Sequence, residues 1–147
     1  MKLKQISIFL ENSPGRLYET TRALGDAGIN LRALTLSDSA DYGVLRLLVS
    51  NLGKARQIMM EKQFPARVDE VVAVEIKDQA GSLAETLQPL MEENISVRYM
   101  YAFSGFADNR AIMIFSFSDV DQAIEILRQN GQNLISAQAF GMLDSND

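Results

Sequence analysis

"ENSPGRLYETTRALGDAGINLRAL" (Glu11–Leu34) can be laid over "KDQAGSLAETLQPLMEENISVRYM" (Lys77–Met100). Gly15 falls on Gly81, Leu17 on Leu83, Leu24 on Leu90 and Ile29 on Ile95, each 66 residues later. Further along the spacing widens to 68, where "VLRLLVSNLGKARQIM" matches "IMIFSFSDVDQAIEIL". A repeat of this length comes before any single motif, because one repeated unit sets the whole architecture.

Each copy reads as strand, glycine turn, helix, strand, turn, strand, helix, strand. Ahead of the first glycine, Ile6, Ile8 and Leu10 alternate with Gln5, Ser7 and Phe9, a period of two. Apolar positions then recur as Leu17, Thr21, Leu24 and as Leu83, Leu87, Leu90, the stripe of a half-buried helix. The second helices carry Ala55, Ile58, Met59 and Ala123, Ile126, Leu127. Pro14 suits a first helical turn, and Asn51 and Ser118 are candidate caps for the second helices. The fold class expected is α+β: two ferredoxin-like βαββαβ units in tandem, antiparallel sheets with helices on one face. The units divide as residues 1–70 and 71–147. The last strand of the first copy (66–72) overlaps the first strand of the second (70–76). One long or kinked strand over Val68–Ile76 is therefore expected to serve both. The second copy's last strand is expected at Leu134–Phe140. Leu45–Val49 and Ile112–Phe117 are apolar on both sides, so the sheet face away from the helices is expected to be partly covered.

Composition narrows the function classes. A net charge of −5 speaks against a surface for nucleic acid or acidic membranes. The imbalance lies in the second half, where residues 71–147 hold 4 Lys+Arg against 11 Asp+Glu. With no cysteine there is no disulfide framework, and with no histidine the usual general base and transition-metal ligand are missing. No apolar run reaches the ~20 residues of a membrane span. The N-terminal apolar run stops at Glu11 without a small-residue cleavage site, so no signal peptide is expected. A cytoplasmic location, no cofactor and no metal are the expectations. Asp119 and Asp121 form a D-x-D pair at a helix start, where acids belong in any case.

The junction Asn12-Ser13-Pro14-Gly15 has two readings. Helix N-termini present unpaired N–H groups and about half a positive charge, to which a carboxylate binds. Gly15 lets a ligand approach the backbone, Asn12 offers an acceptor to an ammonium, and Asn30 opens the adjacent strand near the same end of the sheet. Donors for a carboxylate beside acceptors for an amine describe a free amino-acid site. The other reading is a plain turn with Asn12 or Ser13 capping the helix.

"N-x-P-G-x-L" followed by "G-I-N-L" at Gly28–Leu31, inside a repeated βαββαβ unit, resembles the ACT domain. That small regulatory module of amino-acid metabolism would cover Leu3 to about Leu143 as two tandem copies. The resemblance implies an amino acid held at the first strand–helix loop and the start of the second strand, at a domain–domain interface. In the first copy this points to Asn12, Ser13, Pro14, Gly15, Arg16, Leu17 and Asn30. In the second it points to Asp78, Gln79, Ala80, Gly81, Ser82, Leu83 and Ser96. Asn12 and Asn30 match the serine-contacting positions of the phosphoglycerate dehydrogenase feedback domain, where a histidine stands at the position of Leu10. "ISIFLENSPGRL" also resembles the start of the acetolactate synthase regulatory subunit, which senses valine. Asp78 could pair with a ligand ammonium or simply favour the helix N-terminus. Tyr99, Tyr101, Phe103 and Phe106 could floor a side-chain pocket or form strand core. The implied protein is a non-enzymatic regulator with a free amino acid as ligand, a homodimer, and possible partnership with a catalytic enzyme such as acetolactate synthase. No nucleic acid or membrane partner is expected. A ligand-free dimerisation module is the alternative.

Overall fold

The computed structural model describes residues 1–38, 41–104 and 107–142. Its elements follow the doubled pattern: β1 Leu3–Glu11, α1 Arg16–Asp26, β2 Leu31–Asp38, β3 Tyr42–Val49, α2 Leu52–Glu61 and β4 Ala66–Lys77. Then come α3 Ser82–Glu92, β5 Val97–Ser104, β6 Arg110–Phe117, α4 Val120–Gln129, β7 Asn133–Ile135 and a 3-10 turn Gln138–Phe140. The chain divides into two compact units. The first holds Lys4–Asp69 with the described residues from Ala137 on, the second Met1–Leu3 with Glu70–Ser136. The single strand β4 runs through the join, and the division falls inside it. Among the described residues no helix is long and apolar enough to cross a membrane.

In the first unit β3 lies between β1 and β2, antiparallel to both, with Leu10 opposite Gly43 and Asp38 opposite Gly43 on the other side. Ile6, Ile8, Leu45, Leu47 and Val49 pack with Leu24 of α1 and Ala55 and Met59 of α2. The opposite sheet face carries a polar chain instead. Gln5 donates to Ser7 Oγ at 3.2 Å, Ser7 Oγ donates to Asp69 at 2.9 Å, and Arg67 Nε donates to the same carboxylate at 3.2 Å. Gln5 and Ser7 are fully buried, and hydrogen bonding offsets the cost of burying them.

The second unit orders its strands β7-β4-β6-β5, all antiparallel. Val72, Val74, Phe115 and Phe117 pack with Leu90 of α3 and Ala123, Ile126 and Leu127 of α4. Every residue of Ile112–Phe117 is buried, as its two-sided apolar pattern requires.

Four local expectations are corrected. The buried stripe of α1 is Thr20 and Leu24, while Leu17 is exposed; α3 repeats this with Ser82, Thr86 and Leu90. Threonine can be buried there because its hydroxyl donates one turn back, Thr20 to Arg16 O at 3.0 Å and Thr86 to Ser82 O at 3.1 Å. Pro14 stands before the helix, because Gly15 is the N-cap with a left-handed φ of 92°. Asn51 caps α2 by accepting from Lys54 N–H, but Asp119, not Ser118, caps α4 by accepting from Gln122 N–H. Ser118 Oγ instead accepts from Ser96 N–H at 3.0 Å, as Ser50 Oγ does from Asn30 N–H at 2.8 Å. Finally, β7 is three residues long, not a strand to Phe140. Residues from Ala137 on belong to the first unit, where Arg32 Nε donates to Gly141 O at 3.3 Å and Phe140 is buried.

Candidate functional site: two equivalent loop clefts

The two strand–helix loops have the same backbone. Gly15 has φ 92° and ψ −15°, and Gly81 has φ 91° and ψ −14°. A Cβ built on either glycine meets nothing within 4 Å, so glycine is demanded by the left-handed backbone and not by crowding. No side chain caps either helix, which leaves first-turn N–H groups of α1 and α3 open toward the loop.

Each loop borders a cleft, and the clefts correspond position for position. The first, about 270 Å³, is lined by Leu10, Glu11, Asn12 and Ser13 from β1 and the loop, Arg16 and Leu17 from α1, and Leu36 and Gly43 from the neighbouring strands. The second, about 430 Å³, is lined by Ile76, Lys77, Asp78, Gln79, Ser82, Leu83, Ala102 and Ala111 at the eight matching positions. Phe103 and Met113 complete it. The strand positions explain the difference in size. A Cβ on Gly43 would lie 3.3 Å from Leu36 Cδ1 and 3.6 Å from Asn12 Oδ1. In the second unit Ala102 stands for Leu36 and leaves more room, of which the single methyl of Ala111, standing for Gly43, takes back only a part.

The electrostatics of the two clefts differ. In the first, Arg16 is paired with Glu19 at 3.3 Å and Glu11 at 3.6 Å. In the second, Lys77 and Asp78 are exposed, and Asp78 N–H donates to Asn109 O at 2.8 Å. Water around Asp78 weakens any ion pair it makes, so the charge-assisted advantage over Asn12 is small.

Of the residues singled out in the sequence, Asn12, Ser13, Arg16 and Leu17 meet in one cleft, and Asp78, Gln79, Ser82 and Leu83 in the other. Pro14, Gly15, Ala80 and Gly81 shape the loops without lining these clefts. Asn30 and Ser96 do not lie near the same end of the sheet as the loops. Leu31 pairs with Val49 and Leu10 with Gly43, so Asn30 is six residues of β3 away from the loop, roughly 20 Å at ~3.3 Å per residue. Val97 pairs with Phe117 and Lys77 with Arg110, which puts Ser96 equally far from Asp78. The cause is direction: α1 and α3 carry the chain back before β2 and β5 begin.

Phe103 lines the second cleft, whereas Tyr99 and Tyr101 are half-buried on β5 without lining it. Phe106 lies outside the described residues. Asp119 is occupied as a cap, and Asp121 pairs with Lys2 at 2.9 Å. That carboxylate, followed by Glu70, raises the Lys2 ammonium above its ordinary value. The candidates named from the sequence left out Leu10, Glu11, Leu36 and Gly43 and their counterparts, although the repeat spacing of 68 already equates Gly43 with Ala111.

A family model described as an ACT domain pair matches residues 1–143. A protein of Bacteroides thetaiotaomicron known from its crystal structure is 36% identical, covering 97% of this chain and 98% of its own, with a TM-score of 0.90. The ligand-free regulatory subunit of aspartate kinase from Thermus thermophilus shares the fold at 13% identity, with coverage of 86% and 90% and a TM-score of 0.60. The corresponding subunit from Thermus flavus does so at 15% identity, with coverage of 93% and 92% and a TM-score of 0.58. A comparison with curated proteins found no match. With a doubled βαββαβ unit, a left-handed glycine at each strand–helix loop and a family match over nearly its whole length, the chain belongs to the ACT domain family as an ACT domain pair.

Proposed function

We propose that this ACT pair is a regulator without chemistry of its own, which binds a small free amino acid at the Gly15 and Gly81 loop clefts and passes the bound state to a partner. The observation that carries the reading is the eight-position match between the two clefts. Each sets uncapped helix N–H groups, suited to a carboxylate, beside a polar acceptor (Asn12 or Asp78) suited to an ammonium. Apolar walls of Leu10, Leu17 and Leu36, or of Ile76, Leu83 and Phe103, suit a small side chain.

Thermal denaturation against each of the twenty amino acids at millimolar concentration tests it. A ligand at a hundred times its dissociation constant stabilises by about 2.7 kcal/mol, which for a chain of this size is a rise of roughly 5–10 °C. If none of the twenty moves the melting temperature, the reading fails.

Assembly into a homodimer belongs to the same proposal. Leu34 and Leu36 are exposed at 57% and 50% on β2, the outer strand of the first unit, and edge strands tend to be paired or covered. Light scattering is expected to give twice the chain mass. Leu34→Lys with Leu36→Lys should lower the apparent mass toward that of one chain. A wild-type monomer at every concentration, with and without amino acid, refutes the dimer.

A further inference from the structure

We propose, resting on the reading of the loops as amino-acid sites, that the two clefts sort amino acids by the size of the side chain. The first admits a ligand no larger than alanine or serine, and the second also admits a longer apolar one such as leucine or methionine. Leu36 and Ala102 are the specificity-determining residues.

The strand at the back of each cleft sets its depth. Leu36 and Ala102 hold the same place in β2 and β5, 66 residues apart. In the first unit Leu36 pairs with Leu45 across the β2–β3 ladder, and Leu10 with Gly43 across the β1–β3 ladder. Leu10 and Leu45 belong to the core under the helices, and residues paired in register share a face, so Leu36 and Gly43 stand on the helix side too. Leu36 leans over Gly43, where an added Cβ would meet Leu36 Cδ1 at 3.3 Å and Asn12 Oδ1 at 3.6 Å. Leu45, with Leu36 beside it, is 1% exposed and takes no part in lining the cleft. Arg16 also lines this cleft, held to Glu11 at 3.6 Å. The first cleft, about 270 Å³, therefore stops at Leu36.

In the second unit the same registers carry different side chains. Ala102 pairs with Met113, and Ile76 with Ala111. Ile76 and Met113 belong to the core on the helix side, so Ala102 and Ala111 face that way as well. Met113 occupies the place of Leu45, 68 residues on, yet here the cleft reaches it, because a methyl at Ala102 has replaced the isobutyl group of Leu36. Ser82 lines the second cleft where Arg16 lines the first. The cleft, about 430 Å³, thus extends past Ala102 into a recess walled by Ile76, Leu83 and Met113.

That recess decides the ligand class. Its walls are aliphatic or thioether, so a charged or amide side chain would give up water there without gaining a hydrogen bond. An apolar side chain gains with each methylene it buries, and the flexible, polarizable methionine adapts to its shape. In the first cleft Leu36 already fills the corresponding space, and a longer ligand would have to displace it.

Calorimetry of the full chain with L-alanine, L-leucine and L-methionine tests the sorting. L-alanine is expected at two equivalents per chain, and at least one of the larger probes at one. Ala102→Leu, which rebuilds the first unit's wall, should weaken the larger probe tenfold or more. It should keep both equivalents of alanine, which also shows that the variant is folded. Leu36→Ala should open the first cleft toward Leu45 and add a second equivalent of the larger probe. Three results overturn the proposal while leaving the loops as amino-acid sites: a larger probe filling two equivalents of the wild-type chain, neither larger probe binding while another of the twenty amino acids does, or both variants binding the larger probe as wild type does. If none of the twenty binds, the loop reading itself falls and the sorting falls with it.

Discussion

Phe115→Ala should lower the stability of the chain by about 3–5 kcal/mol, the ordinary cost of emptying a fully buried phenylalanine site. Phe115 lies in the middle of β6, is fully buried and stacks on Phe117 with ring centroids 5.1 Å apart and planes 19° apart. Its neighbours in the core come from α3, α4 and β4, so collapse around the void would have to displace several elements at once. Packed interiors relax only in part, which is why the loss exceeds the transfer energy of the ring alone. The same strand carries Ala111 and Met113 into the second loop cleft, so ligand binding at Gly81 should weaken along with stability. Chemical denaturation with a fitted midpoint and slope checks this. A loss below about 1 kcal/mol with unchanged slope would show that β6 is not the centre of that core.

Gly15→Val and Gly81→Val should each cost roughly 1–3 kcal/mol of stability before any ligand is added, because a β-branched residue is strained at φ near +90°. The Cβ itself meets nothing within 4 Å at either position, so the cost expected is that of the backbone conformation. Binding provides the second readout. The isopropyl group would stand over the loop where a ligand carboxylate approaches the N–H groups, so each variant should lose its own cleft and keep the other, halving the stoichiometry in calorimetry. Gly15→Ala and Gly81→Ala share the strained backbone with less bulk and separate the two effects. Variants that are destabilised while binding with full stoichiometry would make both loops ordinary turns.

Much of this was legible in the residues. The offsets of 66 and 68 imply a doubled βαββαβ unit, and they equate the loop glycines Gly15 and Gly81, whose shared left-handed backbone the structure then supplied. Asn51 reads correctly as a cap, since capping depends on residues three positions apart. These features are local: backbone sterics and near-neighbour hydrogen bonds decide them, and both are written in short stretches of chain.

The phase of the helix stripes, the direction of the strands and the contents of the clefts were decided by tertiary structure. Leu17 reads as core, yet Thr20 is the buried residue, because the helix is rotated by what it packs against and the threonine hydroxyl satisfies itself one turn back. Asn12 and Asn30 read as neighbours, yet the return path of α1 sets them at opposite ends of one sheet. Leu36 and Gly43 enter the first cleft only because the antiparallel ladders bring them beside Leu10. Sequence periodicity determines which element a residue joins, but a cleft is lined by side chains from elements far apart in the chain, and packing alone decides which of them meet.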